Sequence, residues 1–482
     1  MNLRVSGNWR GTVLLLCAWL LQACGEGIPE AVDTGSARSR LEAADSGDIL
    51  AQLQAIPGMT VLQEKPVPGN PSLRYFVLDY EQPADHRHPQ RERFQQRMTL
   101  LHRASSAPVV LASTGYGLYT YQPVNTEPSY LLTANVLYVE HRFFNTSTPA
   151  SSNWKLLDIY QAATDHHRIV QAFKPLYPAS WLTTGGSKGG MTSIYHRYFY
   201  PDDVDATVAY VAPNSYLDGD PRYVHFLNHV GTEDCRQRLR QVQRGLLTRR
   251  AEMQPFIDEL LSYGVTFDGL GLEKAYEFAV LEAPFTFWQY GSGVDACEYI
   301  PGANAPAAEL FQFLTDTNSL DFYADQSLAP YAAYYYQSAT QLGGPRYPEA
   351  HLWPWLKYPG QDVSRSFPPY GVDKDFDFLT MYWVERWMKK SAQRMMLIYG
   401  ENDPWSTGAF EVSPSNDSVR YFVAGGNHGA SIYDLPEAQR SQALRKLSDW
   451  MGVPTRPFPS AAARGAEELP VVNTALMRRP RL

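Results

Sequence analysis

A short run of glycines around one serine, residues 183–190, constrains this chain more than any other part of its sequence. It reads T-T-G-G-S-K-G-G. The residues before it are typical of a β-strand, and those after it are compatible with a helix. In such a G-x-S-x-G pattern, a sharp strand-to-helix turn exposes a serine hydroxyl above a parallel sheet. Glycine and serine are also common in ordinary turns, so the prediction that Ser187 is a nucleophile depends on finding its partners.

A serine hydroxyl attacks a carbonyl only when a base takes its proton and an acid orients that base. On a parallel sheet of this kind, the acid and then the histidine follow the serine along the chain. Residues 394–399 form a buried-strand pattern that leads to Asp403, and residues 420–424 form another that leads to the G-G-N-H-G containing His428. We therefore predict an α/β-hydrolase fold, with a mostly parallel sheet, and a Ser187, Asp403, His428 triad.

Other acids and bases are present. Glu401 lies closer to the strand than Asp403, and Asp373, Asp375 and Asp377 form a charge run typical of a solvated surface. Of the eleven histidines, only His428 combines the expected order with a glycine-rich loop after a core strand.

The tetrahedral intermediate also needs backbone N–H donors. One should be the N–H of Lys188, directly after the nucleophile, and the second the N–H of Tyr116. Tyr116 belongs to a Ser-Thr-Gly-Tyr-Gly run after the strand pattern at residues 107–112. A plain turn with a packed tyrosine is the alternative for Tyr116. We expect the Lys188 side chain to lie on the surface.

These motifs occur together in one known family. The chain resembles the bacterial secreted prolyl tri- and tetrapeptidyl aminopeptidases, serine exopeptidases distantly similar to prolyl carboxypeptidase. The resemblance covers about residues 55–450 and rests on Q-P-A-D-H at 82–86, F-Q-Q-R at 94–97, V-E-H-R-F-F at 139–144, G-G-S-K-G-G at 185–190, F-W-Q-Y at 287–290, G-E-N-D-P-W at 400–405 and G-N-H-G at 426–429. It implies release of short peptides from a free N-terminus, often after proline, without metal or cofactor.

An exopeptidase that measures distance from a free amine needs a negative group at a fixed position. We favour Glu282; the alternatives are Glu233, Asp234, Asp295 and Glu298, and any of these could simply be a solvated charge. Further candidates for contacting substrate are Trp288, Glu140 and Trp405.

The N-terminus predicts export. Arg4 and Arg10 precede an apolar run at residues 13–21, which ends in L-Q-A-C. This is typical of a bacterial lipoprotein signal, so Cys24 would be lipidated and the protein held on the cell envelope or secreted; an ordinary secretory signal is the alternative. In an oxidising compartment, Cys235 and Cys297 could form a disulfide.

The chain therefore divides into six expected parts. They are a signal (1–24), a tether (25–50), the first half of a catalytic domain (51–217), a helical cap (218–390), the second half (391–452) and a loosely ordered tail (453–482). Hydrophobic residues make up 44% of the 482, enough for a large core. The net charge of −8, with scattered signs, argues against a nucleic-acid partner.

Two other functions remain open from the sequence. One is a carboxylic-ester hydrolase with the same triad. The other is a non-catalytic envelope binding protein on a hydrolase fold, against which the complete triad argues. The sequence does not indicate an oligomeric state.

Overall fold

The chain is described here by a computed structural model that covers residues 47–119, 121–151, 153–302, 304–458 and 469–472. It divides into two units, residues 1–55 and 56–482. The described part of the first unit contains helix α1 (Ile49–Gln54), whose N-terminus is capped by the Asp48 carboxylate. All the features below belong to the second unit.

A nine-stranded sheet forms the centre of the second unit. Its strands follow the order β1-β2-β3-β6-β4-β7-β8-β11-β12. The pairs β1–β2, β2–β3 and β3–β6 are antiparallel, and every later pair is parallel. The described strands are β1 (Met59–Lys65), β2 (Arg74–Pro83), β3 (Arg93–His102), β4 (Val109–Ser113), β5 (Asn125–Thr126), β6 (Asn135–Val139), β7 (Trp181–Gly186), β8 (Ala206–Tyr210), β9 (Asp218–Asp220), β10 (Gly344–Pro345), β11 (Met395–Gly400), β12 (Val419–Val423) and β13 (Val471–Val472).

Helices connect these strands. They are α2 (Glu127–Leu132), α3 (Ile159–Phe173), α4 (Lys188–Phe199), α5 (Arg222–Leu227), α6 (Glu233–Thr248), α7 (Arg250–Ser262), α8 (Leu272–Tyr290), α9 (Ala307–Asn318), α10 (Asp325–Leu328), α11 (Ala332–Gln337), α12 (Thr380–Lys390) and α13 (Glu437–Met451). Short 3₁₀ segments lie at Trp154–Leu156, Gly293–Tyr299, Leu320–Tyr323, Ala329–Tyr331, Trp353–Trp355, Ser364–Ser366, Pro404–Gly408 and Pro414–Asn416, and a π-helical turn at Ser338–Leu342.

Both faces of the parallel strands are covered, which explains their continuous apolar sequences. Helices α3, α4 and α12 pack on one face, where Ile194 and Val384 meet Leu397. Helices α2 and α13 pack on the other face, where Leu447 meets Ile398. The strand order and directions are those of the α/β-hydrolase fold.

Between β8 and β11 the strand–helix alternation gives way to a mostly helical region. Helices α5 to α11 share an apolar core of their own, whereas α12 packs on the sheet. We call residues 218–390 the cap. A disulfide between Cys235, on α6, and Cys297 crosses it, with the two Cα atoms 5.2 Å apart. Within the described ranges, no helix is long and apolar enough to cross a membrane.

The described parts of the C-terminal tail are held to the catalytic half. Val471 and Val472 pair in parallel with Asn125 and Thr126. The Arg456 N–H donates to the Leu131 carbonyl at 2.8 Å. The expectation of a loose tail is therefore wrong for these segments, because backbone hydrogen bonds fix them.

Candidate active site

Ser187 occupies the turn between β7 and α4. Its backbone has φ 53° and ψ −125°, a conformation that costs a non-glycine residue energy and recurs at functional turns. The Ser187 N–H donates to the Tyr210 carbonyl on β8 at 2.8 Å, which fixes the turn to the sheet. A Cβ on Gly189 would lie 2.3 Å from the Ser113 carbonyl oxygen, so this position requires glycine. The sequence pattern thus produces a strained turn whose half-buried serine lines a cavity, as a nucleophile requires.

Asp403 and His428 meet at the carboxyl ends of β11 and β12. The His428 Nδ1–H donates to Asp403 Oδ2 at 2.7 Å, and both side chains are buried. The Trp405 N–H donates to the other carboxylate oxygen at 3.1 Å. This arrangement places the proton on Nδ1 and leaves Nε2 as the nitrogen that can accept one. The exposed rival, Glu401, instead accepts the Gly425 N–H at 3.2 Å.

The cap contributes to the position of His428. The His428 N–H donates to the Gln289 carbonyl in the last turn of α8 at 3.0 Å. The ring centroids of Tyr290 and Trp405 lie 6.0 Å and 6.4 Å from that of His428. Both aromatic rings line the cavity into which Ser187 opens, so His428 lies next to two residues of the cavity wall.

The cavity has a volume of about 310 Å³ and lies between the sheet and the cap. This is near the lower end of the range for small-molecule sites. Aromatic side chains form much of its wall. They are Tyr116, Tyr119, Phe285, Phe287, Tyr290, Phe322, Tyr331, Tyr334, Tyr335, Tyr347, Phe367 and Trp405.

The loop after β4 lies directly against the serine turn. A Cβ on Gly115 would approach the Gly189 nitrogen to 2.4 Å. Lys188 is the first residue of α4, where the helix offers no partner for its N–H. The Tyr116 N–H, in contrast, donates to Thr114 Oγ1 at 3.0 Å within its own loop. The donor role of Tyr116 therefore stays a prediction, and that N–H must be shared or released to serve an oxyanion.

Two buried charged side chains hold this loop. Lys188 is not on the surface as expected: it is 2% exposed, and its Nζ donates to the Gly115 carbonyl at 2.6 Å. Burial lowers the pKa of Lys188 well below its usual value. Glu140 accepts the Leu118 N–H at 2.7 Å and the Ser147 hydroxyl at 2.8 Å. Glu140 is thus a loop support and not the substrate contact that we predicted.

The other predicted contacts divide between the cavity and the cap core. Trp405 and Glu282 line the cavity. The prediction that Trp288 contacts substrate is wrong. Its side chain is buried in the cap core against Gly231, because it lies on a face of α8 that is turned away from the cavity. The remaining candidates are exposed away from the cavity wall; Glu233 pairs with Arg236, Asp234 with Arg238, and Asp295 and Glu298 face solvent.

Asp362 was missed by the sequence reasoning. It lies in a cap loop without a recognisable motif, yet it is 2% exposed and lines the cavity beside Glu282. Burial, followed by the nearby Glu282 and Glu349 carboxyls, raises the pKa of Asp362 well above its usual value. No signal in the linear sequence brings residues 282 and 362 together.

Two further predictions concern other chemistry. Cys24, the predicted lipidation residue, lies outside the described residues. Across the part of the chain that the structure describes, no group of His, Cys, Asp and Glu side chains has the arrangement of a metal site.

Known proteins bear on the class of this α/β-hydrolase. The model of the PS-10 peptidase S37 family matches residues 42–474. Prolyl tri/tetrapeptidyl aminopeptidase of Streptomyces mobaraensis is 40% identical over 446 residues, 91% of each chain. A putative serine protease, pcp-1, of Caenorhabditis elegans is 30% identical over 105 residues, 18% of this chain and 19% of the relative.

Solved structures show only distant likeness. Proline iminopeptidase from Mycobacterium smegmatis has a TM-score of 0.33 at 12% identity, covering 80% of this chain and 98% of that one. VinJ has a TM-score of 0.36 at 13% identity, covering 81% and 100%. The sequence matches are decisive: the chain belongs to the PS-10 peptidase S37 family. It is a serine peptidase.

Proposed function

We propose that this peptidase releases short peptides, of three or four residues, from free N-termini and prefers proline at the cleaved position. The main support for this proposal is a cavity of about 310 Å³ that is lined both by Ser187 and by the cap. A cavity covered in this way admits the end of a peptide more readily than the middle of a folded chain. The 40% identity to a prolyl tri/tetrapeptidyl aminopeptidase supports the same substrate class.

In the proposed reaction, Ser187 Oγ attacks the peptide carbonyl carbon while His428 Nε2 takes its proton. The Lys188 N–H and a donor from the 114–117 loop stabilise the oxyanion. His428 then returns the proton to the leaving amine as the C–N bond breaks, and an acyl-enzyme remains. A water molecule, deprotonated by His428 Nε2, then attacks the acyl carbon. His428 returns the proton to Ser187 Oγ as the ester bond breaks, which frees Ser187. Asp403 holds the Nδ1 proton throughout.

The aromatic wall supports the preference for proline. Tyr290, Tyr334 and Trp405 line the cavity, and the pyrrolidine ring of proline is a compact apolar group that packs well against aromatic rings. Proline also lacks an N–H, so a pocket without a matching acceptor does not penalise it.

A chromogenic substrate, Ala-Ala-Pro-X with X the leaving dye, tests the proposal. We expect cleavage of the free-amine form, little cleavage of the N-acetyl form, and no cleavage of either by Ser187→Ala. Equal cleavage of both forms would contradict the exopeptidase assignment. Turnover of simple esters with no peptide cleavage would favour an ester hydrolase instead.

We also propose that the protein is exported and anchored through a lipid on Cys24. The support is the signal pattern in residues 4–24 and the Cys235–Cys297 disulfide, a bond typical of oxidising compartments. Mass spectrometry of the mature N-terminus should find a diacylglycerol-modified Cys24, and Cys24→Ala should release the protein from membranes. An unmodified N-terminus at another position would contradict the anchor.

A further inference from the structure

Two carboxyl groups face each other in the cavity wall. Glu282 lies on α8 and Asp362 on the loop before the 3₁₀ segment Ser364–Ser366, and the two side chains are hydrogen-bonding neighbours. Both line the cavity that contains Ser187. The pair therefore belongs to the cap side of the site, opposite the catalytic half.

One oxygen of the Asp362 carboxyl lacks the hydrogen-bond partner that a buried carboxyl oxygen normally has. The residue is 2% exposed, and its Oδ2 receives no hydrogen bond from any described residue. Within the same described ranges, no arginine, lysine or histidine forms an ion pair with it. Buried carboxyls are ordinarily hydrogen-bonded or paired, so an orphaned oxygen at a cavity wall indicates that a donor belongs there.

The surroundings of the pair favour a cation as that donor. Glu349 adds a third carboxyl in the vicinity, and its own oxygen accepts the Gly360 N–H at 2.8 Å. Among the described groups with the largest effects on the pKa of Asp362, only Lys274 is positive, and its effect is the smallest. Two neighbouring carboxylates repel each other, and the burial of Asp362 strengthens this repulsion, so a positive group between them would be stabilised.

We propose that Glu282 and Asp362 together bind the α-ammonium group of the peptide substrate. A primary ammonium carries a unit charge and three N–H donors, which matches two neighbouring carboxyls that have an unfilled acceptor. An acetylated N-terminus offers one neutral N–H and adds a carbonyl, and so it does not fit. This inference rests on the proposed function, which it deepens by naming the residues that detect the free N-terminus.

The cavity gives the pair a measuring role. Three extended residues span about 10 Å, which is the reach from an anchored amine to the third carbonyl. An ammonium fixed at the cap would therefore select which carbonyl reaches Ser187. The length of the released peptide would be set by this anchor and not by the triad.

The test compares Asp362→Asn and Glu282→Gln with the wild type on free-amine and N-acetyl Ala-Ala-Pro-X. Asp316→Asn is the matched control, because Asp316 lines the same cavity but is exposed and already accepts a bond from Gln312 at 3.0 Å. We expect kcat/KM for the free-amine substrate to fall roughly 10–100-fold in the two variants, as loss of a charged hydrogen bond implies. The kcat/KM of the two variants for the N-acetyl substrate should equal that of the wild type. The kcat/KM of Asp316→Asn should be unchanged for both substrates.

A small fluorophosphonate without an amine separates anchoring from folding. Its rate of reaction with Ser187 should be the same in the wild type and both variants. If the wild type distinguishes the free amine and Asp362→Asn retains that distinction, the anchor is overturned while the exopeptidase function stands. If the wild type does not distinguish the two substrates, the proposed function itself falls, and the anchor with it.

A third substrate, N-acetyl-Lys-Ala-Pro-X, distinguishes an α-ammonium from a side-chain ammonium. We expect it to be cleaved as poorly as the acetyl-alanine form. Cleavage as efficient as that of the free-amine peptide would overturn the assignment to the N-terminus.

Discussion

At the residue scale, Asp403 shows how one buried side chain can control a reaction that it does not touch. Both of its oxygens are engaged, one by His428 Nδ1 at 2.7 Å and one by the Trp405 N–H at 3.1 Å. The carboxylate therefore fixes which histidine nitrogen carries the proton.

Replacing Asp403 with asparagine should remove that control. The amide can donate to Nδ1 and favour the wrong tautomer, so we expect kcat to fall roughly 10⁴-fold with little change in KM. Glu401→Gln is the control, because Glu401 is exposed and bonds only to the Gly425 N–H among the described contacts. Steady-state kinetics on the chromogenic substrate measure both. An equal loss in the two variants would argue against Asp403 as the acid.

Lys188→Met tests the support of the 114–118 loop. The substitution keeps an apolar stem between the Tyr116 and Phe144 rings but removes the bond from Nζ to the Gly115 carbonyl. Because that carbonyl belongs to the peptide unit that carries the Tyr116 N–H, we expect kcat to fall roughly 10-fold, less than the loss of a whole oxyanion donor. A lowered melting temperature with unchanged kcat would show that Lys188 serves stability alone.

Residue-level prediction from sequence used the order of the loops along the chain to pair Asp403 with His428. Asp403 and His428, predicted from their loops, are hydrogen-bonded in the structure. Lys188 and Glu140 were misjudged, since a charged side chain gives no linear sign that a distant loop will bury it. Asp362 was missed for the same reason, because its environment is made by α8, eighty residues earlier in the chain.

At the element scale, Glu127 joins helix α2 to the loop that follows His428. Its carboxyl accepts the Ile432 and Tyr433 N–H groups, each at 3.0 Å, and the Tyr210 hydroxyl at 2.8 Å. Burial is the largest influence on this carboxyl and raises its pKa to about 7.

This elevated pKa predicts a pH-dependent contribution to stability. The folded state holds the Glu127 proton more tightly than the unfolded state does, so the contribution is complete below about pH 4.5 and is lost as the pH rises through about 7. Glu127→Gln should abolish this dependence, which amounts to at most about 3 kcal/mol. Urea unfolding at pH 5 and pH 8 measures it. Parallel pH slopes in the two proteins would contradict the assignment.

Strands were more predictable than element ends. The core strands β4, β6, β7, β8 and β11 follow from their continuous apolar runs. The start of helix α3 at Ile159, for example, is set by a side-chain cap, because Asp158 accepts the Gln161 N–H at 2.7 Å. Strand β1 was not predicted, since it is an edge strand with mostly exposed or half-buried side chains and so has a weak hydrophobic pattern.

At the scale of the whole molecule, the cap has a core of its own and a covalent link of its own. The Cys235–Cys297 disulfide spans 62 residues, from α6 to the segment after α8. Since the last turn of α8 carries the Gln289 carbonyl that accepts the His428 N–H, the stability of the cap and the order of the active site are connected.

Removing the disulfide should therefore weaken the protein. We expect the double variant Cys235→Ser, Cys297→Ser to lose about 2–4 kcal/mol of unfolding free energy, because its unfolded chain regains the freedom of a long loop. Thermal unfolding with and without dithiothreitol measures it. The reductant should lower the melting temperature of the wild type but not that of the variant; an unaffected wild type would contradict the prediction.

A cap could be predicted from the sequence, since strand–helix alternation stops near residue 218 and resumes near 391. The cavity beneath it could not, because it depends on how the cap helices pack over the sheet. Sequence therefore indicated the reaction more readily than the substrate.

In the proposed reaction, Ser187 is acylated by peptides that present a free N-terminus. Intact-protein mass spectrometry after exposure to an Ala-Ala-Pro diphenyl phosphonate tests this most directly, with the free-amine and N-acetyl forms compared. We expect one adduct, mapped to Ser187, that forms much faster from the free-amine reagent and is absent in Ser187→Ala. An adduct on another residue, or equal rates from both reagents, would contradict it.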